Sequence, residues 1–189
     1  AQLGFARGFV ILEGQFGGAQ TDFEGRFARV PLRLADLAGA GLGLSGRLSG
    51  TVAYRRARGG DPTASARVEV QNFARSGVVL SSKPVDIVAG LDLTAETLVA
   101  AATVETDGTR LGRVDARITD FGPGETVAER LRDGRLSANL SYDGAAEALW
   151  RLAAIDSFDL TGPAQLYAQA SGTLSAPSLT GSVASETLR

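Results

Sequence analysis

Leu42-Gly43-Leu44-Ser45-Gly46-Arg47-Leu48-Ser49-Gly50-Thr51-Val52-Ala53-Tyr54 alternates without a break, with apolar residues or glycine at even positions and small or polar residues at odd ones. A strand turns successive side chains to opposite faces, so this period of two gives one oily face and one wet face. Outward from it, the pattern recurs. Phe23, Gly25 and Phe27 share a parity, as do Ala66, Val68 and Val70; Val85, Ile87, Ala89, Leu91 and Leu93; and Leu98, Ala100, Ala102 and Val104. Val114, Ala116 and Ile118 follow, then Leu136, Ala138, Leu140 and Tyr142, then Phe158 to Ala170, and finally Leu179, Gly181 and Val183. Asp107-Gly108, Asp133-Gly134 and Arg58-Gly59-Gly60-Asp61-Pro62 punctuate these runs with hairpin chemistry. The spacing predicts an all-β chain of roughly ten to twelve strands in an antiparallel meander.

Helical signals are short. Pro31 to Ala38 has proline in a first-turn position and stops at Gly39. Glu125 to Arg132 follows Pro123-Gly124, with Val127 and Leu131 on one face, and Asp143 is placed to cap a helix over Ala145 to Ala154 carrying Leu149, Trp150 and Leu152. Helices this short need a partner surface, so each is expected to plug or rim the oily face. A Leu-rich helical segment precedes both Leu42–Gly46 and Asp159–Gly162, a weak internal echo.

Composition narrows the chemistry. The 189 residues include 24 glycines and no histidine, cysteine or methionine. Without histidine or cysteine, the common nucleophile–base pairs cannot be assembled, and zinc, copper, haem and iron–sulfur sites lose most of their ligands. The expectation is therefore a non-enzymatic chain with no cofactor and no metal. The net charge of −2 gives no nucleic-acid footprint, and all but Lys83 of the 19 basic residues are arginine. No apolar run is long enough to cross a bilayer, and the Ala1-Gln2-Leu3 start suggests an excerpt of a longer protein.

The remaining motifs read as structure. Gly41-Leu42-Gly43-Leu44-Ser45-Gly46 fits the dinucleotide fingerprint, but it lies inside an alternating run instead of opening a helix. Glu125 with Glu129, and Asp156 with Asp159, are carboxylate pairs with capping or solvated explanations. Arg55-Arg56-Arg58 reads as a soluble loop, Asn139-Leu140-Ser141 as an incidental glycosylation sequon, and Trp150 as a helix anchor. That leaves the apolar parity itself. It is either the core of a closed barrel or sandwich, or the lining of an open groove, with glycines at 46, 50, 162, 172 and 181 relieving bulk.

The ending Ser171-Gly172-Thr173-Leu174-Ser175-Ala176-Pro177-Ser178-Leu179-Thr180-Gly181-Ser182-Val183 resembles a signature of the TamB family, the translocation and assembly module subunit related to AsmA-like envelope proteins. Val30-Pro31-Leu32, the Leu42–Gly50 run, and Gly60-Asp61-Pro62 leading into Ala64–Val70 resemble it too, whereas Gly122–Arg132 departs from the pattern. The resemblance implies a long curved sheet folded as a β-taco around a hydrophobic groove, with a few short helices at its rim or plugging it. It implies a periplasmic location as part of an inner-membrane-anchored protein of a Gram-negative bacterium, and an outer-membrane barrel partner of the TamA type. It also implies a link to outer-membrane assembly and to passage of phospholipid acyl chains between the membranes. Residues 1–189 are then one segment of such a taco, with 1–120 and 121–189 as possible sub-modules.

On that reading the groove is lined by Leu42, Leu44, Leu48, Val52, Val68, Val70, Ile87, Leu91, Leu98, Val104, Val114, Ile118, Leu136 and Leu140. Two rivals stand beside it. One is a chaperone-like module that holds unfolded outer-membrane β-strands in the groove or along an exposed edge. The other is a carbohydrate-active β-solenoid, which requires a carboxylate cluster on one exterior face.

Overall fold

A computed structural model describes residues 2–5, 8–15, 17, 20–34, 43–75, 83–146, 148 and 162–185. The strands are β1 (Gln2–Phe5), β2 (Gly8–Gln15), β3 (Gln20–Pro31), β4 (Leu44–Ala57), β5 (Thr63–Arg75), β6 (Val85–Leu93), β7 (Leu98–Thr106), β8 (Thr109–Thr119), β9 (Arg135–Ala145), β10 (Pro163–Gly172) and β11 (Pro177–Ala184). A single helix of more than a few residues is described, α1 (Val127–Arg132), between β8 and β9. All eleven strands form one sheet in chain order, every neighbouring pair antiparallel, and β1 and β11 do not pair to close it into a barrel. The expected all-β meander is therefore what the chain builds, and it is continuous through residue 120 because β8 pairs with β9.

Local chemistry explains the breaks. Asp107 (φ 49°) and Gly108 (φ 75°) form the two-residue hairpin between Thr106 and Thr109, both in the left-handed region that this turn demands. Thr94 and Thr97 close the β6–β7 turn through a Thr94 N–H to Thr97 carbonyl bond of 2.8 Å and a Thr97 N–H to Thr94 hydroxyl bond of 3.1 Å. Bulges shift the register of β3 between Phe27 and Val30, and of β5 at Asn72. Arg29 (φ 51°) and Asn72 (φ 53°) are the left-handed residues at those two places.

Two helix expectations change. Asp143 caps nothing; it lies inside β9 opposite Gln165, whose side-chain amide donates to its carboxylate at 3.2 Å. The strand keeps its alternation through Tyr142 and pairs with β10 as far as Ala145, so cross-strand bonding overrides the capping signal. The remainder of that segment, with Trp150 and Asp156, lies outside the described residues apart from helical Ala146 and Ala148. Pro31 ends β3 instead of opening a helix, and of the helix predicted there only Leu34 is described as helical. The third expectation shortens to α1, which begins two residues late because Thr126 takes the cap position.

Candidate functional site

The register turns the sequence parity into rows that run across the strands. Leu48, Val70, Ile87, Val104, Gly112, Tyr142, Leu166 and Val183 are successive cross-strand partners from β4 to β11. One pair step along lies Gly50-Val68-Ala89-Ala102-Val114-Leu140-Ala168-Gly181, then Val52-Ala66-Leu91-Ala100-Ala116-Ala138-Ala170-Leu179. The fourth row is Tyr54-Ala64-Leu93-Leu98-Ile118-Leu136-Gly172-Pro177. Not one residue in these four rows is charged. On the reverse face, rows such as Thr51-Arg67-Gly90-Ala101-Asp115-Asn139-Gln169-Thr180 are mixed and polar.

Twelve of the fourteen predicted lining residues fall in these rows. Leu44 lies past the register shift at Ser45/Arg47, opposite Arg75, and is outside the four rows; Leu42 lies outside the described residues. What residue-by-residue reading missed is size. The two outer rows carry mostly large side chains, whereas half of the two middle rows is alanine: Ala66, Ala89, Ala100, Ala102, Ala116, Ala138, Ala168 and Ala170. Those alanines were visible on the apolar parity, but they gather into an alanine-rich floor, with Leu91, Val114 and Leu140 among them, only once the register is known.

Burial follows the same division. From β4 to β11 no residue of the two middle rows is buried, while Leu93 (8% exposed), Ile118 (4%) and Leu136 (8%) in one flanking row, and Gly112 and Tyr142 in the other, are. Among the described residues no large side chain fills the space over the alanines. A hollow of about 260 Å³ lies there, lined by Ala66, Val68, Ala89, Ala100, Ala102 and Ala116 among others. It spans β5 to β8, three strand intervals or about 14 Å.

The Leu93–Leu136 flank sits beside α1. Thr126 accepts from the Glu129 N–H at 3.2 Å, and the Glu129 carboxylate accepts from Thr126 and Glu125 N–H at 3.1 and 3.0 Å, a reciprocal capping box. Those backbone donors hold the Glu129 carboxyl below its ordinary range. Arg130 reaches from α1 to Asp61 in the β4–β5 turn and to the Ala95 carbonyl in the β6–β7 turn, with Phe121 under its guanidinium at 5.8 Å. Ser175, in the β10–β11 turn, donates its N–H to the Arg132 carbonyl at 3.1 Å. The helix thus ties together three turns at one end of the strands. Its carboxylate Glu129 is committed to capping, and Glu125 gives its N–H to that cap, so the pair considered for glycosidase chemistry has a structural role.

The reverse face is crossed by ion pairs: Arg67 with Asp92 at 2.7 Å, Arg55 with Asp22 and Glu24 at 3.3 and 3.0 Å, and Arg113 with Asp115. The hydrogen bond from Arg113 lowers the Asp115 carboxyl from its usual range. Each pair is exposed and is worth little to stability. The Gly43–Gly46 portion of the dinucleotide-like motif leads into β4, so no helix N-terminus follows it. Among the described residues no helix is long and apolar enough to cross a membrane.

Comparison with known proteins finds no matching family model, no matching curated protein and no matching solved structure.

Proposed function

We propose that this chain is a non-enzymatic, TamB-like β-taco segment whose apolar face carries phospholipid acyl chains between inner and outer membrane, as part of a periplasmic apparatus for outer-membrane assembly. The observation that carries the reading is the alanine-rich floor between two bulkier rows, over which no large side chain of the described residues lies. A sheet that merely packed its own core would place its largest side chains over the middle, where burial is deepest. Here the middle is the least covered part, and its 260 Å³ hollow is lined by small apolar groups.

Dimensions agree. A bilayer leaflet is about 15 Å of hydrocarbon, half of the roughly 30 Å core. The hollow runs about 14 Å across three strand intervals, so one leaflet-length chain lies along it at right angles to the strands. Methylenes withdrawn from water gain up to about 0.8 kcal/mol each, which holds a chain without any polar recognition.

A second reading has its own support. Strand β11 is eight residues long and bears no charge, and every one of its residues is exposed, with Leu179 at 72% and Val183 at 64%. An edge of this kind accepts a further strand, as a carrier of unfolded outer-membrane β-strands would require.

Native mass spectrometry of the gently purified protein separates the two. Co-purifying phospholipid, captured by photocrosslinkers at Val68 and Leu140 and not at Thr51 on the reverse face, supports the acyl-chain reading. A lipid-free protein, or capture at Thr51 equal to that at Val68, overturns it. Crosslinking of polypeptide along β11 with an empty floor favours the strand-carrying alternative.

A further inference from the structure

On the reverse face, where β3, β4 and β5 approach one end of the sheet, the geometry points to a second site that takes a phosphate group. A cavity of about 490 Å³ is lined there by Pro31, Arg33, Ser45, Arg47, Asn72 and Pro84, together with Gly46 and Ala74. Pro31 and Gln71 flank Arg47 on neighbouring strands, and Ala74 pairs with Ser45, which places the cavity on the face opposite the alanine floor. The site is therefore independent of the acyl-chain reading.

Three observations converge. First, no carboxylate lines the cavity, and among the described residues neither Arg33 nor Arg47 meets one within ion-pair distance. Among the described residues Arg26, Arg56, Arg58 and Arg117 also lack such a partner, but of these arginines only Arg33 and Arg47 line the cavity. Two acids stand close by without lining it: Asp86 accepts at 2.8 Å from the N–H of Asn72, itself a lining residue, and Glu69 accepts from the Gln71 amide at 2.7 Å. Exposed Lys83, next to Pro84, adds a further positive charge.

Second, the wall is set by irregular backbone that costs free energy to hold. Asn72 adopts φ 53° in β5, and Gly46 opposite it adopts φ 124°, with the Gln71 and Asn72 carbonyls 3.0 and 3.1 Å from where its Cβ would be. Only glycine fits at 46, and the register shift that follows opens the cavity between the strands. Third, the polar lining is rich in donors. The lining residues Arg33, Arg47 and Asn72 carry two guanidinium groups and a side-chain amide, all N–H donors, while the Ser45 hydroxyl donates to the Ala74 carbonyl at 3.2 Å. Guanidinium planes match the oxygen spacing of phosphate in pairs, and the two prolines and Ala74 supply a rigid apolar rim.

The phosphate belongs either to a soluble phosphoester or to a lipid headgroup in an anionic bilayer. The test titrates inorganic phosphate into the ¹⁵N-labelled protein at constant ionic strength, and separately measures co-sedimentation with phosphatidylglycerol vesicles against phosphatidylcholine ones. Saturable shifts at the Gly46 and Asn72 amides, weakened at least tenfold by Arg47→Gln or Arg33→Gln and unchanged by Arg117→Gln, are expected. Phosphate saturation without vesicle binding identifies a soluble phosphoester. Phosphatidylglycerol binding that is lost in Arg47→Gln identifies the headgroup. Shifts that chloride reproduces at equal ionic strength, or that Arg117→Gln weakens as much as Arg47→Gln, overturn the site. The spectrum itself reports whether each variant is folded.

Discussion

Filling the alanine floor is the sharpest test of the acyl-chain reading. Ala102 lies in a middle row between Ala89 and Val114 and lines the 260 Å³ hollow. Ala102→Phe sets a ring into a hollow that no side chain of the described residues fills, on a central strand where aromatic residues are well tolerated, so the sheet should keep its stability. A chain lying in an open trough is covered on one side, and each methylene then gains about 0.4 kcal/mol, half the value for full burial. A ring standing on the floor displaces the chain over a length of about four methylenes, a loss of about 1.6 kcal/mol or about fifteenfold in affinity. Displacement of a fluorescent phospholipid reads this directly. Val88→Phe is the control: Val88 is 52% exposed on the reverse face, pairs with Thr103, and should leave binding unchanged. Equal lipid affinity for wild type and Ala102→Phe, with both folded, would refute the placement of the chain.

Three further outcomes follow from the architecture. Ile118→Ala removes one of the most buried side chains and should cost about 2–4 kcal/mol, measured as a lowered midpoint in urea. Gly50→Ala should destabilise by about 1–3 kcal/mol in the same assay, because its Cβ would collide with the Arg67 carbonyl oxygen and touch the Phe27 ring at 3.0 Å. The capping box should titrate: with the Glu129 carboxyl held below its ordinary range, its contribution is complete above the unfolded carboxylate pKa and is lost as pH falls through the folded one. Protease cleavage near α1 should therefore rise in acid for wild type, while Glu129→Gln should be cleaved faster at neutral pH and show a flatter acid response.

Sequence periodicity was enough to identify the sheet, its meander order and most of its apolar face, because a period of two encodes facing directly. Leu48, Val70, Ile87 and Val104 share a parity within their own strands, and the hairpins keep them in one row. Three things were not legible. Asp143 carries a capping signal that strand pairing with Gln165 overrides, and no local rule weighs one against the other. Bulges shift the register by a residue, so Leu44 leaves the rows although its parity matches Leu48. The alanine floor depends on which alanine stands beside which across six strands; Ala100 next to Ala116 next to Ala138 is a fact of register, and hydrophobicity alone ranks those positions below the leucines.

The floor also bears on how a chain would travel in the proposed reading. Moving along the rows by one strand interval of about 4.8 Å replaces Ala89 with Ala102, or Ala100 with Ala116, and at other steps meets the larger Leu91, Val114 or Leu140; every step stays apolar, so none adds a polar or charged barrier. The bulkier rows on either side keep the chain aligned with that path. A floor without a gradient supplies no direction, so net flow must follow the difference in lipid chemical potential at its two ends. It also makes transit serial. One obstruction then blocks every chain, whereas bound lipid can still occupy the floor on either side of it. Ala102→Phe should therefore depress vesicle-to-vesicle transfer by the full protein far more than the roughly fifteenfold expected for binding. Equal losses in the two assays would mean that lipid is held at one place and does not pass along the rows.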